Sequence, residues 1–460
     1  MHTDTATAQS PPPAGCPHAR LEPAGADYAF GDFALYPARK LLVRGETPVV
    51  LGGRAFDLLV ALVARAGEVV DHHALVAAVW PHAVVEENGL RVHMSALRKA
   101  LGDSPADQYV QTVPGRGYRF VKPVSASLPS LGARLHGPRL GRLVGRDAAL
   151  QQLAQGLAEA RIVTVTGAGG VGKSALALAW AAGQAQRYPD GCHVVDCAAG
   201  DGQALGAANA IDALRARQAL LVLDNCEYDL PVAAALAARA AAGGRATVLA
   251  TSRGPLGLPG ECEYRLAPLD LPAAVALFVD RAEANCSRFA LTPATLPGVL
   301  ELCRALDGLP LALELAAARV EALGVAGLAA RLDDMLLLLT RSRRLADPRH
   351  ASLEAMLDAG HRLLDAPGRT LLRRLALFDG AFSTEAARQV CGFGALAPAV
   401  VAPALAQLTS VSLLMTECEQ GVARYCMLNT TRRYALARLA ASGEEELVSR
   451  RMAHYVSYND

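Results

Sequence analysis

Apolar and polar positions alternate along this chain with two different periods, and each change of period marks a new element. Across residues 28–51, Phe30, Phe33, Leu35, Leu41, Val43, Val49 and Leu51 fall in short alternating segments, the pattern of a small antiparallel sheet. The spacing then lengthens to that of helices. Residues 55–66 place Phe56, Leu59, Val60 and Val63 at helical intervals and stop at Gly67, and residues 73–79 continue as a second helix closed by Trp80 and Pro81. A third helix covers residues 86–101 and ends at Gly102. Its Leu90, Met94, Leu97 and Leu101 form one stripe, while Arg91, Ser95, Arg98 and Lys99 occupy the other side, so one face packs and the other is free to bind. Two β runs follow, 109–113 and 118–121, joined by Pro114, Gly115, Arg116 and Gly117 as a hairpin with an arginine at its tip. Sheet, three helices and hairpin predict a winged helix-turn-helix.

Residues 1–26 carry a Pro-Pro-Pro run and little that builds a core, which predicts a disordered lead-in, and residues 125–141 have the composition of a linker. Beyond an amphipathic helix ending near Ala160, the apolar run Ile162-Val163-Thr164-Val165-Thr166 leads into Gly167-Ala168-Gly169-Gly170-Val171-Gly172-Lys173-Ser174 and an alanine- and leucine-rich segment. The order is strand, glycine loop, helix, and the loop matches G-x-x-x-x-G-K-[ST] in full. Without side chains at Gly167, Gly169, Gly170 and Gly172, successive backbone N–H groups, Val171 included, close around phosphate oxygens at the positive end of the helix. Lys173 then reaches the β- and γ-phosphates, and the Ser174 hydroxyl holds Mg²⁺. The run 219–224 is apolar up to Asp224, as a buried parallel strand requires, and puts that carboxylate at the sheet edge where it orders Mg²⁺ through water. Strands at 192–196 and 247–251 extend the sheet, the latter leading to Arg253, which is placed to reach a γ-phosphate and distinguish ATP from ADP.

Composition then removes several classes of function. Forty-five basic and forty-four acidic side chains leave a formal charge of +1, so any nucleic-acid surface must be local. Ten scattered cysteines show no CxxC pair and no zinc spacing, which predicts reduced thiols in the cytoplasm. The leucine run 336–339, bracketed by Asp333, Asp334, Arg341, Arg343 and Arg344, is too short for a bilayer, and no membrane contact is expected.

Residues 28–124 resemble the DNA-binding output domain of the OmpR/PhoB family of bacterial response regulators, through R-A-F-D-L-L-V-A-L, Trp80, V-H-M-S-A-L-R-K-A-L-G-D and Q-T-V-P-G-R-G-Y-R-F. The resemblance implies that the third helix enters the major groove and the hairpin the adjacent minor groove. It marks Arg91, His93, Ser95 and Arg98 for base edges or phosphates, Lys99, Thr112 and Arg116 for the backbone, and Trp80 for a phosphate through its indole N–H. For His93 a second reading stands beside this one, a histidine at the boundary of the packed stripe. The relatives' arginines are replaced here by Ser95, Ala96 and Pro114, so their base preference does not transfer.

The remainder resembles the NB-ARC branch of the STAND ATPases through the glycine loop, L-V-L-D-N-C-E (221–227), L-A-T-S-R-G-P-L-G (249–257) and G-L-P-L-A (308–312). That resemblance implies Gly145 and Arg146 against the nucleotide's base and sugar, Pro310 near the adenine, a helical lid, and a second winged helix that gates the nucleotide instead of binding DNA. Arginines 432, 433 and 438 are read as a solvated face. Asn225 stands where hydrolysing relatives carry a second acid, which leaves Glu227 as the substitute general base and at most a slow ATPase.

The expected fold class is multidomain, α/β and α+β: winged helix at 27–124, P-loop NTPase with a parallel sheet at 142–265, lid at 266–345, winged-helix-like domain at 346–445 and a short helix at 446–460. The expected function is transcription regulation on double-stranded promoter DNA, switched by ATP/ADP with Mg²⁺, with self-association of the ATP form and RNA polymerase as further partners. A P-loop ATPase or kinase with an appended DNA-binding domain, and an NLR-type interaction scaffold, are the competing readings.

Overall fold

In the computed structural model the described residues are 28–37, 40–45, 47–80, 87–104, 107–126, 143–184, 186–199, 211, 214, 216–332, 339, 352–419 and 422–459. The expected lead-in, residues 127–141 of the expected linker and all of 333–345 except Leu339 lie outside them. The chain divides into two units, Met1–Ser127 and Leu128–Asp460.

The first unit runs β1 (Tyr28–Phe30), β2 (Phe33–Tyr36), β3 (Leu41–Arg44), β4 (Thr47–Val49), α1 (Gly53–Val63), β5 (Val69–Val70), α2 (His72–Val79), α3 (Glu87–Leu101), β6 (Val110–Val113), β7 (Gly117–Phe120) and β8 (Ser125–Ala126). One antiparallel sheet has the order β4-β3-β2-β1-β8 and a second the order β5-β7-β6. Leu90, Met94, Leu97 and Leu101 of α3 are all buried, as their stripe requires. They face a core in which Phe30 meets Phe120 edge-on at 5.0 Å and Phe33 meets Tyr109 edge-on at 5.6 Å. At Gly117 (φ +136) a Cβ would lie 2.0 Å from the Val70 carbonyl, so only glycine lets β7 cross β5 at this point. Ser125 and Ala126 pair with Ala29 and Tyr28, and the sheet therefore reaches two residues into the stretch expected as linker. The outer edge of β1 supplies the unpaired backbone groups that capture them.

The second unit continues with α4 (Asp147–Glu159), β9 (Ile162–Thr166), α5 (Lys173–Ala182), β10 (Cys192–Asp196), β11 (Leu220–Asp224), α6 (Leu230–Ala241), β12 (Thr247–Thr251) and β13 (Glu261–Arg265). These strands form one parallel sheet in the order β10-β11-β12-β9-β13. The strand β13 escaped the sequence reading because it is an edge strand, half-exposed and alternating (Glu-Cys-Glu-Tyr-Arg), not the apolar run that marks a buried parallel strand. Helices α7 (Leu271–Asn285), α8 (Leu296–Ala305), α9 (Pro310–Ala317) and α10 (Val320–Ala329) make the lid. The break between α8 and α9 holds Asp307 and Gly308 at positive φ and Pro310 in the first turn of α9, where its missing N–H costs nothing.

Next come α11 (Leu353–Arg362), α12 (Ala366–Leu375), α13 (Thr384–Cys391), α14 (Pro398–Ser410), the hairpin β14 (Met415–Glu419) and β15 (Val422–Cys426), α15 (Asn429–Ser442) and α16 (Glu445–Asn459). The residue pattern puts β-like stretches at 413–415 and 425–428, and the hairpin is displaced from them: Leu413 and Leu414 are buried anchors ahead of β14 and not part of it. No helix among the described residues is long and apolar enough to cross a membrane.

Candidate functional site

After β9 the chain turns through the glycine loop and enters α5 at Lys173, whose side chain folds back over the loop. Its Nζ donates to the carbonyls of Gly167 (2.9 Å) and Ala168 (3.1 Å). Burial pushes the Lys173 ammonium down to about 8; Glu227 and Asp224 oppose this shift and Arg253 adds to it. A buried cation held only by two carbonyls is a strong acceptor for an anion.

Strands β11 and β12 end beside it. The Asp224 carboxylate accepts from Ser174 Oγ (2.6 Å) and from Thr251 Oγ1 (2.5 Å) on the same oxygen, and Thr251 Oγ1 in turn accepts from the Asn225 amide (3.0 Å). One hydroxyl and one carboxylate do not enclose a cation; they suit Mg²⁺, which keeps waters and takes its other ligands from phosphates. Arg253, 4% exposed, has Nε 3.7 Å from Glu227 and donates Nη2 to the Met356 carbonyl at 2.9 Å. Its Nη1 and the Glu227 Oε2 are buried without a partner. Burial lowers the Arg253 pKa, with Glu227 and Tyr228 opposing.

Glu227 and Arg253 line a cavity of about 280 Å³ together with Gly169, Gly170, Gly172, Lys173, Ser174 and Pro310. Each unsatisfied buried polar group costs about 1–3 kcal/mol, so this cavity is built for a charged ligand that completes its hydrogen bonds. The glycine cradle, the lysine and the arginine in the lining fit a nucleoside di- or triphosphate.

Not every expected residue reaches the cavity. Gly145, Arg146, Gly167, Val171 and Asp224 lie outside its lining, Asp224 reaching it through Ser174. Arg146 is buried, with Nη1 on the Ala267 carbonyl and Nη2 on that of Val171, both at 2.8 Å. Through these two bonds it braces the glycine loop, a role beside the contact with base and sugar that the family resemblance implies. Other lining residues escaped the sequence reading: Asn225, Tyr228, Leu311, Glu314, Met356 and Ala359. Asn225 takes a left-handed φ of +59 and donates Nδ2 to Asp196 at 2.9 Å, so it orients the strand ends in place of a second acid. Met356 packs on the loop, where a Cβ on Gly169 would lie 2.2 Å from its sulfur. Nothing local to Met356 in the sequence signals that contact.

On α3 the exposed residues are Arg91, Val92, Ser95, Ala96 and Lys99, and Thr112 and Arg116 of the hairpin are exposed as well. Arg98 is only partly available, since its Nη2 donates to the Val110 carbonyl (2.9 Å) and to Thr112 Oγ1 (2.8 Å) and its Nε lies 3.6 Å from Asp103. Arg98 and Thr112 therefore tie the helix to the hairpin, which is a bracing role beside the contact role expected of both. His93 stacks at 5.6 Å on Trp80, which also lies under Arg54 at 5.8 Å, matching the boundary reading of this histidine. Val92, 65% exposed on the binding side, was overlooked because the stripe test looks for apolar residues that pack. An exposed valine there suits a thymine methyl.

In the second winged helix, α14 has no charged residue. The exposed residues of α14 are Pro398, Ala399, Val400, Ala402, Pro403, Ala406 and Ser410, none charged. The basic residues of α15 are engaged internally, contrary to the solvated face expected for them. Arg432 bonds the Ala376 carbonyl and Asp379 (both 3.0 Å), Arg433 the Leu332 carbonyl and Arg438 the Asp358 carboxylate (2.6 Å).

Comparison with known proteins agrees with this layout. Residues 46–120 match the family described as transcriptional regulatory protein, C terminal, and residues 364–440 the family described as winged helix-turn-helix domain. A Mycobacterium bovis protein bearing the name HTH-type transcriptional regulator Mb0914c is 39% identical over 321 residues, which are 65% of this chain and 36% of that protein. The chain thus spans about a third of that relative's length. The M. bovis protein Mb0918 is 34% identical over 350 residues, covering 70% of this chain and 88% of the relative. A Walker-type ATPase of Pyrococcus abyssi is similar at 15% identity over 64% of this chain and 96% of its own, with a TM-score of 0.46. The chain therefore belongs to the same family as Mb0918, and it carries an OmpR/PhoB-type winged helix, a parallel sheet with a glycine loop, a helical segment and a second winged helix.

Proposed function

We propose that this chain is a cytoplasmic, sequence-specific regulator whose front winged helix grips promoter DNA and whose P-loop module is an ATP/ADP switch. The observation that carries the reading is the double engagement of Arg253. Its side chain lines the phosphate cavity; the guanidinium nitrogen nearest Gly169 donates to Met356 of α11, the unpartnered one lies against Gly360 of the same helix, and its own carbonyl accepts from Ser412 (2.5 Å) just beyond α14. A single residue therefore joins the phosphate site to the second winged helix.

The glycine loop and Lys173 bind the phosphates, and Ser174 and Asp224 hold the Mg²⁺, which neutralises charge between phosphate oxygens. Arg253, which lines the cavity, supplies the positive charge that a γ-phosphate takes and a diphosphate leaves unmet. Glu227 is the group that orients water, and with Asn225 beside it instead of a second acid, hydrolysis is slow. The nucleotide acts as a switch only through its difference in affinity for two arrangements; about 1.4 kcal/mol shifts the populations tenfold, within the usual coupling of roughly 1–3 kcal/mol. ATP favours self-association, which brings several front domains to repeated half-sites, with RNA polymerase as the downstream partner.

The test is the dissociation constant for promoter duplex measured with ADP and with a non-hydrolysable ATP analogue. The two should differ by about tenfold in the wild type and coincide in Arg253→Ala, while Lys173→Ala should fold and retain no nucleotide. Equal affinities in the wild type would sink the switch.

A further inference from the structure

The end of the parallel sheet away from the glycine loop carries a row of arginines that the switch does not use. In sheet order, β10, β11, β12 and β9 begin at Cys192, Leu220, Thr247 and Ile162, and ahead of them stand Arg187, Arg217, Arg245 and Arg161. Parallel strands place all their N-terminal ends on one edge, so four separate connections deliver one guanidinium each to the same line, with strands about 4.8 Å apart. All four residues are exposed.

Arg161, Arg217 and Arg245 make no side-chain hydrogen bond or ion pair among the described residues. Arg187 donates to the Leu157 carbonyl (2.9 Å) and lies 5.8 Å over the Tyr188 ring. The nearest acids are occupied elsewhere: Asp190 accepts from the Gln218 amide (2.7 Å) and Glu159 from the side chain of Gln155 (3.2 Å). Arg161, Arg187 and Arg245 line a cavity of about 520 Å³ with Tyr188 and Gln218. Glu159 lines the same cavity and Asp190 lies beside Gln218, so four arginines face two carboxylates; the edge keeps an excess of positive charge that a polyanion laid along it offsets.

We propose that this edge binds the phosphate backbone of duplex DNA as a contact that positions the protein and reads no bases. The four arginines are exposed and belong to four neighbouring strands, more than one small ligand in the cavity would meet, since Arg217 lies outside its lining; this favours a polymer. Four strands span roughly 14 Å, a length over which a duplex presents about eight charges at one per 1.7 Å of axis. The edge lies about a strand's length, roughly 16 Å, from the phosphate cavity, so DNA and nucleotide do not compete. The proposal rests on the DNA-binding reading above.

The experiment uses the full chain and the triple variant Arg161→Gln/Arg217→Gln/Arg245→Gln, with affinity for duplex DNA followed against salt. The log–log slope should become shallower by about 2.7, at about 0.9 per lost phosphate contact, by the same amount on promoter and unrelated duplex. The matching triple lysine variant should keep the wild-type slope, because a backbone contact requires charge and not a fork. An unchanged slope in the glutamine variant overturns the proposal. So does a variant that loses binding of inorganic tripolyphosphate while its slope on DNA stays as in the wild type, since the edge would then serve a small anion. Failure of the wild type to bind any duplex is a different result and removes the DNA-binding reading itself.

Discussion

The front winged helix keeps Arg91, Lys99 and Arg116 exposed, on and beside a helix whose other face is buried, whereas the second winged helix holds Arg374 at 1% exposure inside its core. There Arg374 bonds Glu444 (2.5 Å) and the carbonyls of Cys391 and Phe393 (both 2.8 Å), and its guanidinium lies 3.7 Å over the Phe393 ring. Burial alone would raise the Glu444 carboxyl, but hydrogen bonds from Arg374 and Arg373 outweigh it and hold it below the usual range. Arginine thus stays at the surface of the helix and hairpin in the front copy, while Arg374 of the second copy serves as an internal fastening. The two copies share the scaffold and differ in what their helix and hairpin expose.

The largest test of that contrast removes the fastening. Arg374→Ala leaves Glu444 half-buried without its main partner and should destabilise the second unit by about 3–5 kcal/mol, read by denaturant unfolding. Arg98→Ala in the front domain, one-third exposed, should cost only about 1 kcal/mol. Equal losses would erase the distinction. Next in size, Arg91→Ala combined with Lys99→Ala should make the salt dependence of DNA binding shallower by about 1.8, while Val400→Glu on α14 should leave it untouched.

A smaller effect sharpens the view of α15 as a helix docked by its end. The Asp307 carboxylate accepts from the Asn429 and Thr430 amides and the Thr430 hydroxyl, all at 2.8 Å, in the manner of an N-cap contributed by the lid. Asp307→Ala should lower stability by about 0.5–2 kcal/mol in thermal unfolding, and Asp307→Asn should recover part of it.

The smallest effect is a proton. The Lys173 ammonium, depressed from 10.5 to about 8, is already neutral in the folded protein at a pH where the unfolded chain still carries its charge. Unfolded chains then bind more protons, so stability of the nucleotide-free protein should rise with pH between about 8 and 10.5, and the penalty of the buried charge is full below that window. Phosphates favour the charged form, so calorimetric titration of ADP near pH 9 in buffers of different ionisation heat should show uptake of a fraction of a proton, and almost none at about pH 6.

The glycine loop, Asp224 and Arg253 were legible because each sits at a strand end whose apolar run announces it. The α3 stripe was legible because four leucine and methionine positions fix which side faces inward. The edge strand β13 and the displaced hairpin were not, since half-exposed strands carry no distinctive run. The carbonyl partners of Arg146 and the bracing by Arg98 were hidden for another reason: whether a cation is free depends on acceptors far away in the chain, at Ala267, Val171 and Val110.

By itself, the sequence determined the order of the modules, the phosphate loop and the face of α3 that packs, because periodicity and local backbone chemistry act over a few residues. Only the tertiary structure decided which arginines remain available, that Met356 closes on the glycine loop some 180 residues before it in the chain, and that four strand ends align their arginines on one edge. Those outcomes depend on which distant carbonyls and carboxylates come within about 3 Å of a guanidinium, and no local pattern encodes that distance.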